Sequence, residues 1–153
     1  MTVRSATEAD CDGIQACLRS AFEPYKTRYT PGAYNDTVLT RETLLARMND
    51  MSIFVAVTEA GEIIGTIACQ VRGEGEGHLR GMAVDPRWHG RGISQQLLER
   101  AESELRTRRC DRITLDTTQY LQRAIHFYER NGYRASGKVS DFFGMPLYEY
   151  VKP

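Results

Sequence analysis

The residues best placed to do chemistry lie in the stretch Leu79–Leu98, LRGMAVDPRWHGRGISQQLL. An alternating apolar run is halted by Pro86, passes through a turn holding Gly90 and Gly92, and enters an amphipathic helical pattern. Such a turn aims several backbone N–H groups and the positive end of a helix at one point, where phosphate binds well. The chemistry expected is that of a phosphate-bearing cofactor held at a strand end. Two common phosphate loops are excluded by residue type. A P-loop ends in Gly-Lys-Ser/Thr to reach phosphate and magnesium, and that tripeptide is absent. A dinucleotide fingerprint needs a third glycine, which Gly90-Arg91-Gly92-Ile93-Ser94-Gln95 lacks.

The elements that must position this turn are legible as periodicities. Thr2–Ala6 reads as a short strand, and Thr7 as the N-cap of a helix with Glu8 and Asp10 in its first turn. Ile14, Cys17, Leu18 and Ala21 fall on one face of that helix. An aromatic segment bearing Pro and Gly, Phe22–Thr37, follows, and then a short helix around Arg41–Met48. Ser52–Thr58 and Glu62–Val71 read as a hairpin about Glu59-Ala60-Gly61, and His78–Val84 as the strand feeding the glycine turn. In the helix beyond that turn Ile93, Leu97, Ala101 and Leu105 recur every four residues. Arg112–Thr118 is a further strand. Leu121–Asn131 is a last helix that stops at Gly132, and Tyr133–Val151 reads as two strands about a turn at Asp141–Pro146. The order predicts one α+β (mixed α/β) domain over residues 1–153, with a largely antiparallel sheet and one parallel crossover.

Composition narrows the partners. Twenty basic and twenty acidic residues cancel, so no global field favours nucleic acid or an anionic membrane. The start lacks the apolar core of a signal peptide and no run suits a membrane span, which predicts a cytoplasmic protein. Cys11, Cys17, Cys69 and Cys110 show neither CxxC pairing nor metal-ligand spacing, so they read as small apolar fillers and no metal is expected.

With these residues in view, the chain resembles the GNAT superfamily of N-acetyltransferases, which bind acetyl-CoA. Val84-Asp85-Pro86, Trp88, Gly90-Arg91-Gly92 and Ile93 match the family's core pattern in order and spacing. His89 stands where Gln or Arg is usual, and Ser94 where Gly or Ala is usual. A second stretch, Ala124-Ile-His-Phe-Tyr128-Glu-Arg-Asn-Gly132-Tyr133, is similar to the family's Ala-x-x-x-Tyr-x-x-x-Gly-Phe, with Leu121 where Asn is frequent. The resemblance implies a mostly antiparallel sheet of about seven strands, a splayed parallel pair and four flanking helices. It implies pyrophosphate held mainly by the main-chain amides of the loop through Gly90, Arg91, Gly92 and Ile93, with the side chains of His89 and Ser94 as further ligands, and pantetheine lying along the main chain of Met82, Ala83 and Val84. It also implies a homodimer.

The same resemblance makes Tyr128 the general acid for the departing thiolate. A phenol near pKa 10 is a fair donor to a thiolate near 8.5, although Tyr128 also fits as a plain member of the helix's apolar face. His78 falls where some members carry a catalytic base, with Glu76 and a water chain as the alternatives. Asp116 and Thr117 end the strand that faces the thioester region in the family. His126 reads as a surface residue. The acceptor pocket is expected from Tyr25, Tyr29 and Tyr34 with Lys26 and Arg28, closed by Phe142, Phe143 and Tyr148; these tyrosines equally fit as loop packing. The function implied is acetyl transfer to a primary amine of a small molecule or peptide. The rival is a non-catalytic module that binds acyl-CoA as a sensor.

Overall fold

In the computed structural model, which describes residues 1–153, the β-branched runs form seven strands. They are β1 (Thr2–Ser5), β2 (Ser52–Val57), β3 (Ile63–Val71), β4 (Glu76–Val84), β5 (Arg112–Thr117), β6 (Arg134–Phe142) and β7 (Met145–Lys152). They pair in the order β1-β2-β3-β4-β5-β7-β6, and only β4 and β5 run parallel. Five α-helices accompany them: α1 (Cys11–Phe22), α2 (Pro31–Thr37), α3 (Arg41–Asp50), α4 (Ile93–Thr107) and α5 (Gln122–Arg130). The mixed α/β class and the mostly antiparallel sheet agree with the expectation from sequence.

The sheet buries a different helix set on each face. Leu97, Leu98, Ala101 and Leu105 of α4 are 0% exposed and pack with Tyr128 and Tyr133 against Phe54, Ile64, Leu79 and Ile113. On the other face Ile14 and Leu18 of α1 and Leu44 of α3 meet Val55, Ala68 and Ala83. Each fully buried Leu or Ile contributes roughly 1.5–3 kcal/mol, so these two layers hold the sheet as a rigid platform. All four cysteines are buried and free, as apolar fillers.

The helix count is a correction: five rather than four. Phe22–Thr37, expected as a connecting segment, folds into a 3₁₀ turn at Glu23–Arg28 and then α2. Pro31 occupies the first helical position, where its missing N–H costs nothing, and the Thr30 hydroxyl accepts from the Ala33 N–H at 3.3 Å. Seven residues with a glycine at the second position carry too little periodicity to announce a helix. The opening helix is also subdivided. Thr7 N–H donates to Asp10 Oδ2 at 2.8 Å and begins a 3₁₀ turn, Glu8–Asp10, that runs into α1.

One irregularity shapes the rest of the molecule. Thr66 pairs with Ala83 and Ala68 with Arg80, so Ile67 faces two residues of β4, Gly81 and Met82. Gly81 takes φ +63°, a backbone state that favours glycine. Beyond this bulge β4 leaves its parallel neighbour: the two pair only from Glu76↔Arg112 to Leu79↔Leu115. β5 runs on to Thr117 against β7, and β4 runs on to Val84 against β3.

Candidate active site

The parted ends of β4 and β5 form one wall each of a cleft of about 830 Å³. At one mouth the chain turns from β4 into α4. Asp85, buried at the end of β4, accepts from Arg87 N–H at 2.9 Å and from Arg87 Nη2 at 2.7 Å. Those bonds hold its carboxyl below the usual range and fix a 3₁₀ turn at Pro86–Trp88. Gly90 and Gly92 then adopt φ +78° and +76°, and nothing packs where a Cβ would stand on either.

The hydrogen bonds of this turn explain what it can hold. His89 N–H donates to Pro86 O at 3.3 Å, and the next backbone donor with a carbonyl partner is Gln96, to Gly92 O at 3.2 Å. The six amides between them, Gly90 to Gln95, donate to nothing in the chain. They sit at the N-terminus of the 15-residue α4, the positive end of its dipole. A diphosphate fits that donor set, because each charge-assisted bond adds about 1.5–3 kcal/mol. Ser94, Ile93 and His89 line the cleft here. Arg91 does not: its guanidinium stacks on Trp88, 4.7 Å from the ring centroid.

Tyr128 sits in the wall opposite. Its ring is 9% exposed and packs edge-on to Tyr133 at 5.9 Å and against Phe127 at 5.6 Å. Its hydroxyl points across to β4 and donates to Met82 Sδ at 3.4 Å, a weak acceptor. Burial pushes the phenol well above 10, so it keeps its proton through neutral pH. Gln95 Nε2 donates to Asn131 Oδ1 at 2.8 Å and ties the α4 terminus to the end of α5. The amide turn and the tyrosine are thereby held in register.

His78 lies on the far side of the cleft and is 3% exposed. Thr114 Oγ1 is 3.3 Å from Gly77 O, to which it donates, and so accepts from His78 Nδ1–H at 2.8 Å. That tautomer leaves Nε2 as a bare acceptor, 3.8 Å from Asp116 Oδ2. Burial, with Arg72, Arg80 and Lys138 nearby, brings the imidazole down to about 3, and burial raises the Asp116 carboxyl. Glu76, the alternative base, is ion-paired to Arg112 and is not part of the cleft.

The cleft therefore gathers His78, Met82, Ala83, Val84, His89, Gly90, Gly92, Ile93, Ser94 and Tyr128, which lie up to 50 positions apart in the chain. His126 is exposed and outside it. Tyr25, Tyr29, Phe142 and Phe143 border it, whereas Tyr34 and Tyr148 do not. Reasoning from sequence missed Arg47, Asp36 and Thr118, which also line it. Arg47 had a signal: it stands three residues after Leu44, on the flank of α3 that turns inward.

A sheet parted between its two parallel strands, with an open amide turn at one mouth of the gap, is the build of an N-acetyltransferase. Residues 15–133 match the acetyltransferase (GNAT) family, and the chain belongs to it. Over 88 residues it is 34% identical to the uncharacterized protein YdhI of Bacillus subtilis (strain 168). That match covers 58% of this chain and 53%, about half, of YdhI. Its fold is similar to a GNAT-family acetyltransferase of Staphylococcus aureus Mu50 (TM-score 0.81, 18% identity, 99% and 97% of the two chains). It is equally similar to the PaiA N-acetyltransferase of Thermoplasma acidophilum, solved with coenzyme A (TM-score 0.81, 19% identity, 99% and 97%). The ribosomal-protein-S18-alanine N-acetyltransferase of Escherichia coli has the same fold (TM-score 0.78, 19% identity, 99% and 92%). No helix is long and apolar enough to cross a membrane.

Proposed function

We propose that the protein transfers the acetyl group of acetyl-CoA directly to a primary amine of a small molecule or peptide. The observation that carries this reading is the run of six unpartnered amides, Gly90 to Gln95, at the mouth of the β4–β5 gap. In this reading those amides, with His89 and the turn of Arg91, hold the diphosphate. The main chain of Met82, Ala83 and Val84 guides the pantetheine arm into the gap. The amine nitrogen attacks the thioester carbon, a C–N bond forms and the C–S bond breaks. Tyr128 gives its hydroxyl proton to the departing sulfur, as a weaker acid than the free phenol expected from sequence because burial raises its pKa. His78 Nε2 accepts an N–H of the amine, which becomes far more acidic as the C–N bond forms, so a weakly basic imidazole suffices. Asp116 passes that proton on to solvent.

A cytoplasmic location belongs to the same proposal, supported by four thiols that remain unpaired. So does a homodimer, for which the exposed edge strand β6 offers unpaired backbone groups. The deciding experiment measures CoA release from acetyl-CoA across a broad panel of amines. Turnover on at least one amine, absent without the amine, is expected. Tight acetyl-CoA binding with no turnover on any amine would instead favour a sensor that binds acyl-CoA.

A further inference from the structure

The acceptor side of the cleft carries charge that transfer to a plain amine does not require. The chain as a whole is neutral, yet five arginines and two aspartates line the cleft. Arg130 ends α5 on the amide-turn side, next to the Asn131 that Gln95 bonds, and Arg123 lies in the first turn of α5. The other three, Arg47, Arg72 and Arg80, face two carboxylates, Asp36 and Asp116, which leaves one positive charge over.

That surplus can be located. Asp36 is ion-paired to Arg80. Arg47, in the last turn of α3, reaches over the bulge of β4: its Nη1 is 2.9 Å from where a Cβ on Gly81 would stand. The glycine that the bulge's positive φ favours also leaves room for the guanidinium there. A guanidinium has five N–H donors, and the single bond Arg47 makes is a long one, Nη2 to Asp36 O at 3.4 Å. No carboxylate lies within 4.0 Å of it. Burial lowers the group to about 10, with Arg80 adding to the effect. A half-buried cation with no carboxylate partner is incompletely compensated for the water it has lost. The end of α3 favours a basic side chain, but an outward rotamer would serve that purpose without desolvation.

A second feature points the same way. Thr118 Oγ1, one residue past β5, is buried, borders the cleft near the Tyr29 hydroxyl and makes no hydrogen bond of normal length. The cleft thus presents acceptors for an amine at His78 Nε2 and Asp116, and idle donors at Arg47 and Thr118. A ligand that satisfies both has an amine and an anion in one molecule. One surplus positive charge suits a singly charged group, a carboxylate, better than a doubly charged phosphate.

Building on the acetyl-transfer reading, we infer that the acceptor is an amine that also bears a carboxylate, held by Arg47 in its seat over Gly81. Arg47 is then a specificity residue. The test uses glycine, phenylalanine, glutamate and lysine, each paired with its own carboxamide, and reads kcat/KM from thiol release. For at least one pair the carboxylate form is preferred tenfold or more. Arg47→Gln removes that preference through the acceptor KM, leaves the acetyl-CoA KM unchanged and does not lower the melting temperature. Arg47→Lys, which keeps the charge, retains part of the preference. Carboxamides used as well as carboxylates, or a preference unchanged in Arg47→Gln, would overturn the inference.

Calorimetry of the same four amino acids with the CoA-saturated protein reads the seat without turnover. Tenfold weaker binding in Arg47→Gln supports it, and no binding or unchanged binding refutes it. Binding that depends on Arg47 with no thiol released from any amine would sink acetyl transfer and leave the anion seat standing.

Discussion

Replacing Tyr128 by Phe separates chemistry from packing, because the packing rests on its ring and the proposed proton transfer on its hydroxyl. The ring is packed by Phe127 and Tyr133, and Phe keeps those contacts. The hydroxyl makes one bond, to a thioether sulfur at 3.4 Å, and losing so weak a bond costs under about 1 kcal/mol. For a chain of this size that shifts the melting temperature by no more than about 4 °C. Losing a general acid lowers turnover roughly 10²- to 10⁴-fold, or about 2.7–5.5 kcal/mol of barrier. Activity and stability should therefore part company by two orders of magnitude or more. The assay is single-turnover release of CoA thiol, read with a chromogenic disulfide; the four cysteines, 0–3% exposed, do not compete for it. A single-turnover rate within threefold of wild type would show that the proton reaches sulfur by another route. Equal loss of stability and rate would make the tyrosine structural.

Three further outcomes follow from the same geometry. Gly92→Asp should weaken acetyl-CoA at least tenfold by calorimetry. Gly92→Asn shares the strain of φ +76° without the charge, so equal affinity in the two variants would show that no diphosphate sits there. His78 is held near pKa 3 in the folded chain, below its unfolded value of about 6.5. The unfolded state therefore takes up a proton first as pH falls, and stability drops from about pH 6.5 toward 3. Between pH 7.5 and 5.5 this amounts to about 1.4 kcal/mol, a loss that urea titration should find in the wild type and not in His78→Gln. Asp10 is lowered too, for a different reason: the Arg4 pair, at 2.8 and 2.9 Å, brings it from 3.8 to about 2. Its contribution is complete above about pH 4 and fades as pH falls toward 2. Asp10→Asn should cost about 1 kcal/mol at pH 7, after allowance for the half-exposed Arg4, and only a small part of that at pH 2.

Sequence alone settled what is local. Apolar and β-branched runs mark the central strands, four-residue recurrence marks α4, and Gly90 and Gly92 mark a turn at the start of that helix. These features depend on neighbours within a few positions, so periodicity and residue type report them directly. The tertiary structure decided everything that depends on distant pairing or on depth. The Gly81 bulge exists only because β3 pairs with β4 out of register, and the cleft exists only because that bulge parts β4 from β5. His78 reads in the sequence as a polar residue near a strand end; 3% exposure and a bond to Thr114, 36 positions on, make it a neutral acceptor instead. Arg47 shows the same dependence most plainly, for no local pattern tells that a guanidinium on α3 will lie over a glycine of β4. Burial and partners are properties of the packed chain, and the charge a side chain carries in a cleft is set by them.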